Sequence, residues 1–178
     1  MQIHTQPILS LDEEEPKGLI SWVNYELSLT DRLEKLNGSA ELELLSQNWV
    51  IPSWWERHVL KITDSQIFQR EIMMRSHGKE YWYARTLIPQ ASYNLNPHFF
   101  NRLQKESIKN LIFDNPEVER QGLRTYAINA KCLEFYWIKK HLEQLNGTIW
   151  VRFADYLYTG LGPFYLLELL LPELEQIA

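Results

Sequence analysis

Behind the acidic run Asp12-Glu13-Glu14-Glu15 and Pro16, the apolar residues Leu19, Ile20, Trp22, Val23 and Leu27 recur at near-helical spacing and predict a first helix. Thr30 then reads as the N-cap of a short second helix, Asp31 to Leu36, which Asn37-Gly38 closes. The period next switches to alternation. Ala40, Leu42 and Leu44 interleave with Glu41 and Glu43, the mark of a half-buried strand with one wet face, and Pro52 marks a loop from Trp49 to Glu56.

Gln66 to Arg75 and Glu80 to Ile88 are strand-like runs separated by Ser76-His77-Gly78-Lys79, so they predict a β-hairpin, which Pro89 closes. Asn96-Pro97 places a capping side chain before a proline and opens a helical stretch through Phe99, Phe100 and Leu103 toward Phe113. From Ile128 to Leu145 the residues Cys132, Phe135, Tyr136, Ile138, Leu142 and Leu145 have helical spacing, ending at Asn146-Gly147. Thr148 to Tyr158 alternates Ile149, Val151, Phe153 and Leu157 on one face, turns at Thr159 to Pro163 and returns as Phe164 to Leu171, a second hairpin. Helices in front, hairpins in the middle and at the end, and no β-α-β alternation predict an α+β fold: an antiparallel β-sheet covered by helices.

A chain of 178 residues, 45% hydrophobic and 23% charged, has the makeup of one globular domain, here 1–178 with 1–16 as a lead-in. The formal net charge of -5 gives no reason to expect nucleic acid as a partner, so an anionic ligand needs local cations. A single cysteine, Cys132, excludes an internal disulfide framework. The five histidines stand apart, with no metal-ligand spacing, so no metal is expected. Met1 to Pro16 lacks the pattern of a secretory signal, and Phe164 to Leu171 is far too short to span a bilayer, so a cytoplasmic location without a membrane span is expected. Gly160-Leu161-Gly162 lacks the third glycine of a dinucleotide loop, and the seven tryptophans read as core packing.

Two charges interrupt otherwise apolar strand faces. Arg70 lies on the face of Phe68, Ile72 and Met74, and Glu168 on that of Phe164, Leu166 and Leu170. A buried charge costs several kcal/mol unless it is paired or used for binding or chemistry. Both a plain Arg70–Glu168 ion pair and a functional site are therefore open, and both place the two residues near each other. Arg85, on the face of Tyr81, Tyr83 and Leu87, reads either as a second inward cation or as a surface arginine packed on aromatics.

With these residues in view the chain resembles the bacterial chorismate lyases. Trp22 to Leu33 (WVNYELSLTDRL) is similar to the family's opening helix and its Ser-[Leu/Met]-Thr turn; Arg70-Glu71-Ile72, Gly78 and Trp82 to Pro89 (WYARTLIP) resemble its central hairpin; Leu167 to Pro172 (LELLLP) resembles its closing strand. The resemblance implies conversion of chorismate to 4-hydroxybenzoate and pyruvate for ubiquinone biosynthesis, at a small-molecule site and without a cofactor. It implies that Arg70 binds the ring carboxylate, that Glu168 faces the 4-hydroxyl end, that Leu29 and Ile108 line the same pocket, and that Arg85 takes the enolpyruvyl carboxylate. It further implies a monomer. The chain departs from the family in having Ala84-Arg85 where many members have Gly-Arg, Ile108-Lys109 where many have Leu-Gly, and a longer helical insertion over about 126–147. Two other readings use the same residues: a non-catalytic small-anion or sensory domain of this fold, and a scaffold in which the 128–145 helix is an interface.

Overall fold

The computed structural model describes residues 17–177, so the lead-in 1–16 lies outside the described residues. Among the described residues seven short α-helices flank the strands: α1 (Ile20–Val23), α2 (Leu29–Asn37), α3 (Trp54–Val59), α4 (Gln90–Leu95), α5 (Pro97–Asn101), α6 (Lys109–Ile112) and α7 (Leu133–Lys139). The strands are β1 (Glu41–Val50), β2 (Ile67–Ser76), β3 (Lys79–Pro89), β4 (Val118–Ile128), β5 (Ile149–Tyr158) and β6 (Gly162–Leu170). They form one antiparallel sheet in the order β1-β2-β3-β6-β5-β4, with β6 joining the two halves of the chain. The α+β expectation holds.

Both sheet faces are covered, which is why the central strands are apolar at almost every position. On the first face Phe68, Ile72, Trp82, Leu166 and Leu170 pack with Trp22, Leu33, Phe100 and Leu111 from the helices. On the second, Ile67, Met73, Tyr83, Leu167 and Phe153 pack with Trp55 of α3 and Phe135 and Ile138 of α7. The central hairpin turns at His77 (φ 49°) and Gly78 (φ 76°), a left-handed pair suited to the twist of the strands it joins.

Tertiary contacts redraw several sequence-level boundaries. The first helix stops at Val23, and Leu27 is exposed, because Ser28 is extended and its hydroxyl accepts from the Asp31 N–H at 3.2 Å. Ser28, not Thr30, is thus the N-cap of α2. Leu42 and Leu44 share the face of Met74 and Ile72, yet they remain largely exposed because β1 is an edge strand. The 49–56 segment is less of a loop than expected, since β1 runs to Val50 and α3 starts at Trp54. Asn96 does cap α5, its side-chain oxygen accepting from the Phe99 N–H at 3.1 Å, but the helix ends at Asn101 and α6 follows separately. The predicted 128–145 helix shrinks to α7: Ile128 belongs to β4, and the Asn129 side chain holds a turn by accepting from the Lys131 N–H at 2.9 Å. Strand β4 itself has no counterpart in the sequence reading.

Candidate active site

The sequence pattern puts Arg70 and Glu168 on one face, and the strand register shows how far apart they stand. Arg70 is opposite Thr86, Glu168 is opposite Ala84, and β3 runs between β2 and β6. Two strand spacings and two residues separate them, roughly 12 Å between Cα atoms at ordinary sheet spacing. They do not form an ion pair. Glu168 is bound by Arg152 of β5, directly opposite it, with Nη1 to Oε2 at 2.6 Å. Arg70 is 5% exposed, and its Nε donates to the side-chain oxygen of Gln47 at 3.1 Å. It has no carboxylate partner among the described residues. Burial lowers its pKa, the direction expected for a cation short of compensation.

Beside Glu168 lies a cavity of about 40 Å³, far smaller than the few hundred Å³ of an ordinary small-molecule site. Leu166 and Ala154 form part of its floor, while Leu29 and Ile108 come from the chain segments covering it. Glu168, Leu29 and Ile108 therefore line one cavity, and Arg70 is not among its lining residues. The cover is pinned by polar contacts. Arg152, 4% exposed, also donates to the Tyr25 carbonyl; Arg120 Nη1 donates to the Glu26 carbonyl at 2.8 Å; and Lys109 Nζ bridges to Asp31 at 2.6 Å. These contacts hold 25–31 and 108–113 over the sheet, so a ring-sized ligand enters only when the cover lifts. Lys109 itself is helical in α6, so the exchange of Gly for Lys there is met without a left-handed backbone. Burial pushes the Glu168 carboxyl up, and Arg152 opposes that shift only in part.

Arg152 and Arg120 have no place in the sequence reading, although the signal for Arg152 is present. Trp150, Arg152, Ala154 and Tyr156 form the second face of β5, and only the face with Ile149, Val151 and Phe153 reads as core. Burial of both faces turns Arg152 into the same kind of anomaly as Arg70 and Glu168.

Arg85 is not brought to this site. It points to the opposite sheet face, where Nη2 meets Glu71 at 2.7 Å, Nη1 approaches Glu56 at 3.6 Å, Nε donates to the Tyr83 hydroxyl at 3.0 Å and the guanidinium lies 3.9 Å from the Trp137 ring centroid. Odd and even positions of a strand face opposite ways, so Arg85 and Ala84 cannot share a face. The second-cation assignment is thereby corrected. Burial pushes the Glu71 carboxyl up, but hydrogen bonds from Ser46 and Tyr83, together with Arg85, outweigh it and hold the group at about 2 instead of 4.5. That contribution, about 3 kcal/mol, is complete above pH 4.5 and more than half lost by pH 3. Urea unfolding at pH 6 and pH 3 is expected to show the stability gap between the unaltered protein and Glu71→Gln narrowing by about 2 kcal/mol; a pH-independent gap refutes it.

Among the described residues no cluster of three or more His, Cys, Asp or Glu is placed to hold a metal ion, and no helix is long and apolar enough to cross a membrane.

Comparison with known proteins agrees with the motifs. The family model for chorismate lyase matches residues 10–171. A chorismate pyruvate-lyase of Pectobacterium atrosepticum is 22% identical over 160 residues, covering 89% of this chain and 79% of that protein. A protein of Methylobacillus flagellatus described as a probable chorismate pyruvate-lyase is 24% identical over 132 residues, covering 74% of each. Among solved structures, a GntR-family transcriptional regulator from Bacillus cereus superposes with a TM-score of 0.56 at 16% identity, covering 75% of this chain and 92% of that one. PhnF from Mycobacterium smegmatis gives 0.57 at 12% identity, covering 84% and 66%. At such identities the structural likeness concerns the fold alone. The family match spans nearly the whole chain, the six-stranded sheet included, and the chain belongs to the chorismate lyase family.

Proposed function

We propose that this protein is a chorismate lyase that releases pyruvate from chorismate and leaves 4-hydroxybenzoate, a precursor for ubiquinone. The observation that carries the reading is Arg70, a buried guanidinium without a carboxylate partner among the described residues, on the sheet face that holds Glu168 and the covered cavity. A planar fork kept dry and uncompensated is suited to a carboxylate ligand. In this reading Arg70 takes the ring carboxylate and Glu168 accepts a hydrogen bond from the 4-hydroxyl, which sets its carboxylate beside the C4–H.

The chemistry is an elimination. The C4–H bond breaks, its electron pair completes the aromatic ring, and the C3–O bond breaks to release the enolpyruvyl group; the proton ends on the methylene carbon of that group, giving pyruvate. The step is redox-neutral and aromatisation drives it, so the protein's part is to orient the substrate, exclude water and place Glu168 near the moving proton. Ala84 adds a methyl on this face between Ile72 and Glu168 and narrows the room for the ring.

The test is to mix the purified chain with chorismate and follow 4-hydroxybenzoate by its ultraviolet absorbance. Product is expected from the unaltered protein, with kcat/KM lower by about 10- to 100-fold in Arg70→Ala, the worth of a hydrogen-bonded charge pair. Undiminished turnover in Glu168→Gln removes the proton-handling role of Glu168. The fold shared with regulator proteins supports a second reading, a binding domain without catalysis. No product, with 4-hydroxybenzoate bound by the unaltered protein and not by Arg70→Ala, establishes that one instead.

A further inference from the structure

Chorismate carries two carboxylates, and with Arg85 committed to the opposite face the second one needs another cation. The charges lining the cavity balance in pairs with one exception. Arg152 is matched by Glu168 and Lys109 by Asp31, whereas Arg120 makes no ion pair among the described residues and donates only to the neutral carbonyl of Glu26, at 2.8 Å. Together with Arg70, this sheet face therefore carries two guanidiniums without carboxylate partners.

Their placement suits a dianion lying across the sheet. Arg120 is opposite Tyr156, which is opposite Phe164, so its side chain leaves β4 on the face of Arg70 and Glu168. Four strand spacings and about two residues separate Arg70 from Arg120, roughly 20 Å between Cα atoms. That span leaves room between the two guanidiniums for a small molecule, and Arg120 lines the same cavity as Glu168. Arg120 is half-buried and lines the cavity, while Arg70 is buried on the same face outside that lining.

We propose that Arg120 is the specificity-determining cation for the substrate's second carboxylate, which takes the place of the Glu26 carbonyl on its guanidinium when the cover lifts. This rests on the chorismate lyase reading. It separates substrate from product: chorismate engages both Arg70 and Arg120, whereas 4-hydroxybenzoate, with one carboxylate, engages Arg70 alone.

The experiment compares Arg120→Gln and Arg120→Lys with the unaltered full chain, measuring KM for chorismate and the inhibition constant of 4-hydroxybenzoate. Arg120→Gln is expected to raise the chorismate KM about tenfold or more while the 4-hydroxybenzoate constant stays within about twofold, and Arg120→Lys to fall between. If both ligands weaken together, Arg120 serves only to hold the cover; if neither does, it takes no part in binding. Either result overturns the proposal. A chain that does not turn chorismate over refutes the lyase reading separately, and calorimetric titration with chorismate and with 4-hydroxybenzoate then decides Arg120 by the same selective loss.

Discussion

Arg85→Ala is expected to destabilise the protein by about 3–5 kcal/mol while its folded fraction binds chorismate, the ligand with both carboxylates, within about twofold of the unaltered chain. The first part follows from what the substitution strands. Glu71 and Glu56, 3% and 1% exposed, both face this guanidinium, and only the partly exposed Lys140, 3.3 Å from Glu71, remains to offset them. Glu56 also accepts from the Ser53 N–H at 2.7 Å at the start of α3, so the damage spreads to that helix. The cost is a large share of the roughly 5–15 kcal/mol that holds a domain together. The second part follows from the sheet, which puts Arg85 on the face opposite Arg70 and Glu168. Urea unfolding and a binding titration at low temperature check the two halves. A well-folded Arg85→Ala that binds chorismate at least about tenfold more weakly returns Arg85 to the site. Arg85→Lys, which keeps the charge and loses the fork and the stacking on Trp137, is expected to recover only part of the stability.

How much of this was legible in the sequence depends on how local the determining forces are. The 67–89 hairpin is written in a turn with a glycine between two β-rich runs, and α2 in a capping side chain and a glycine stop, so both are readable within one residue or two. Strand β4 is different. Val118 to Thr125 carries charges and Gly122, and it becomes a strand because β5 offers it an edge, with a register shift between Arg120 and Gly122. Nothing local announces such pairing. The same holds for α1, cut short where Arg152 and Arg120 take the carbonyls of Tyr25 and Glu26 out of the helical ladder.

The site divides along the same line. Arg70 and Glu168 are visible because each breaks an apolar face, a rule with period two that needs no tertiary knowledge. The reading fails on partners. It matched the two anomalies to each other, whereas the register gives Glu168 the arginine directly across β5, and it gave Arg85 to the pocket although strand parity separates it from Arg70 on the neighbouring strand. Parity within one strand was available from the sequence; the register between strands was not.

Arg152→Met is expected to cost about 3–5 kcal/mol, and Arg152→Met with Glu168→Leu to recover most of that loss while abolishing 4-hydroxybenzoate formation. The single change leaves the Glu168 carboxylate in an apolar surround without its counter-ion and frees the Tyr25 carbonyl from its side-chain donor. Burial already pushes the Glu168 carboxyl up with Arg152 present, so without it the group goes higher still and takes a proton at the expense of its ionised form. The double change removes the stranded charge and replaces the pair with apolar bulk beside Leu166 and Ala154, which lie in the core on the same face. If the pair existed only for stability, the double variant would keep its activity, and if it existed only for activity, the single variant would stay stable. Urea unfolding of both variants together with product formation from chorismate separates the two: a double variant that is stable and still makes 4-hydroxybenzoate removes Glu168 from the chemistry and leaves Arg70 as the anchor of a site that works by binding and orientation alone.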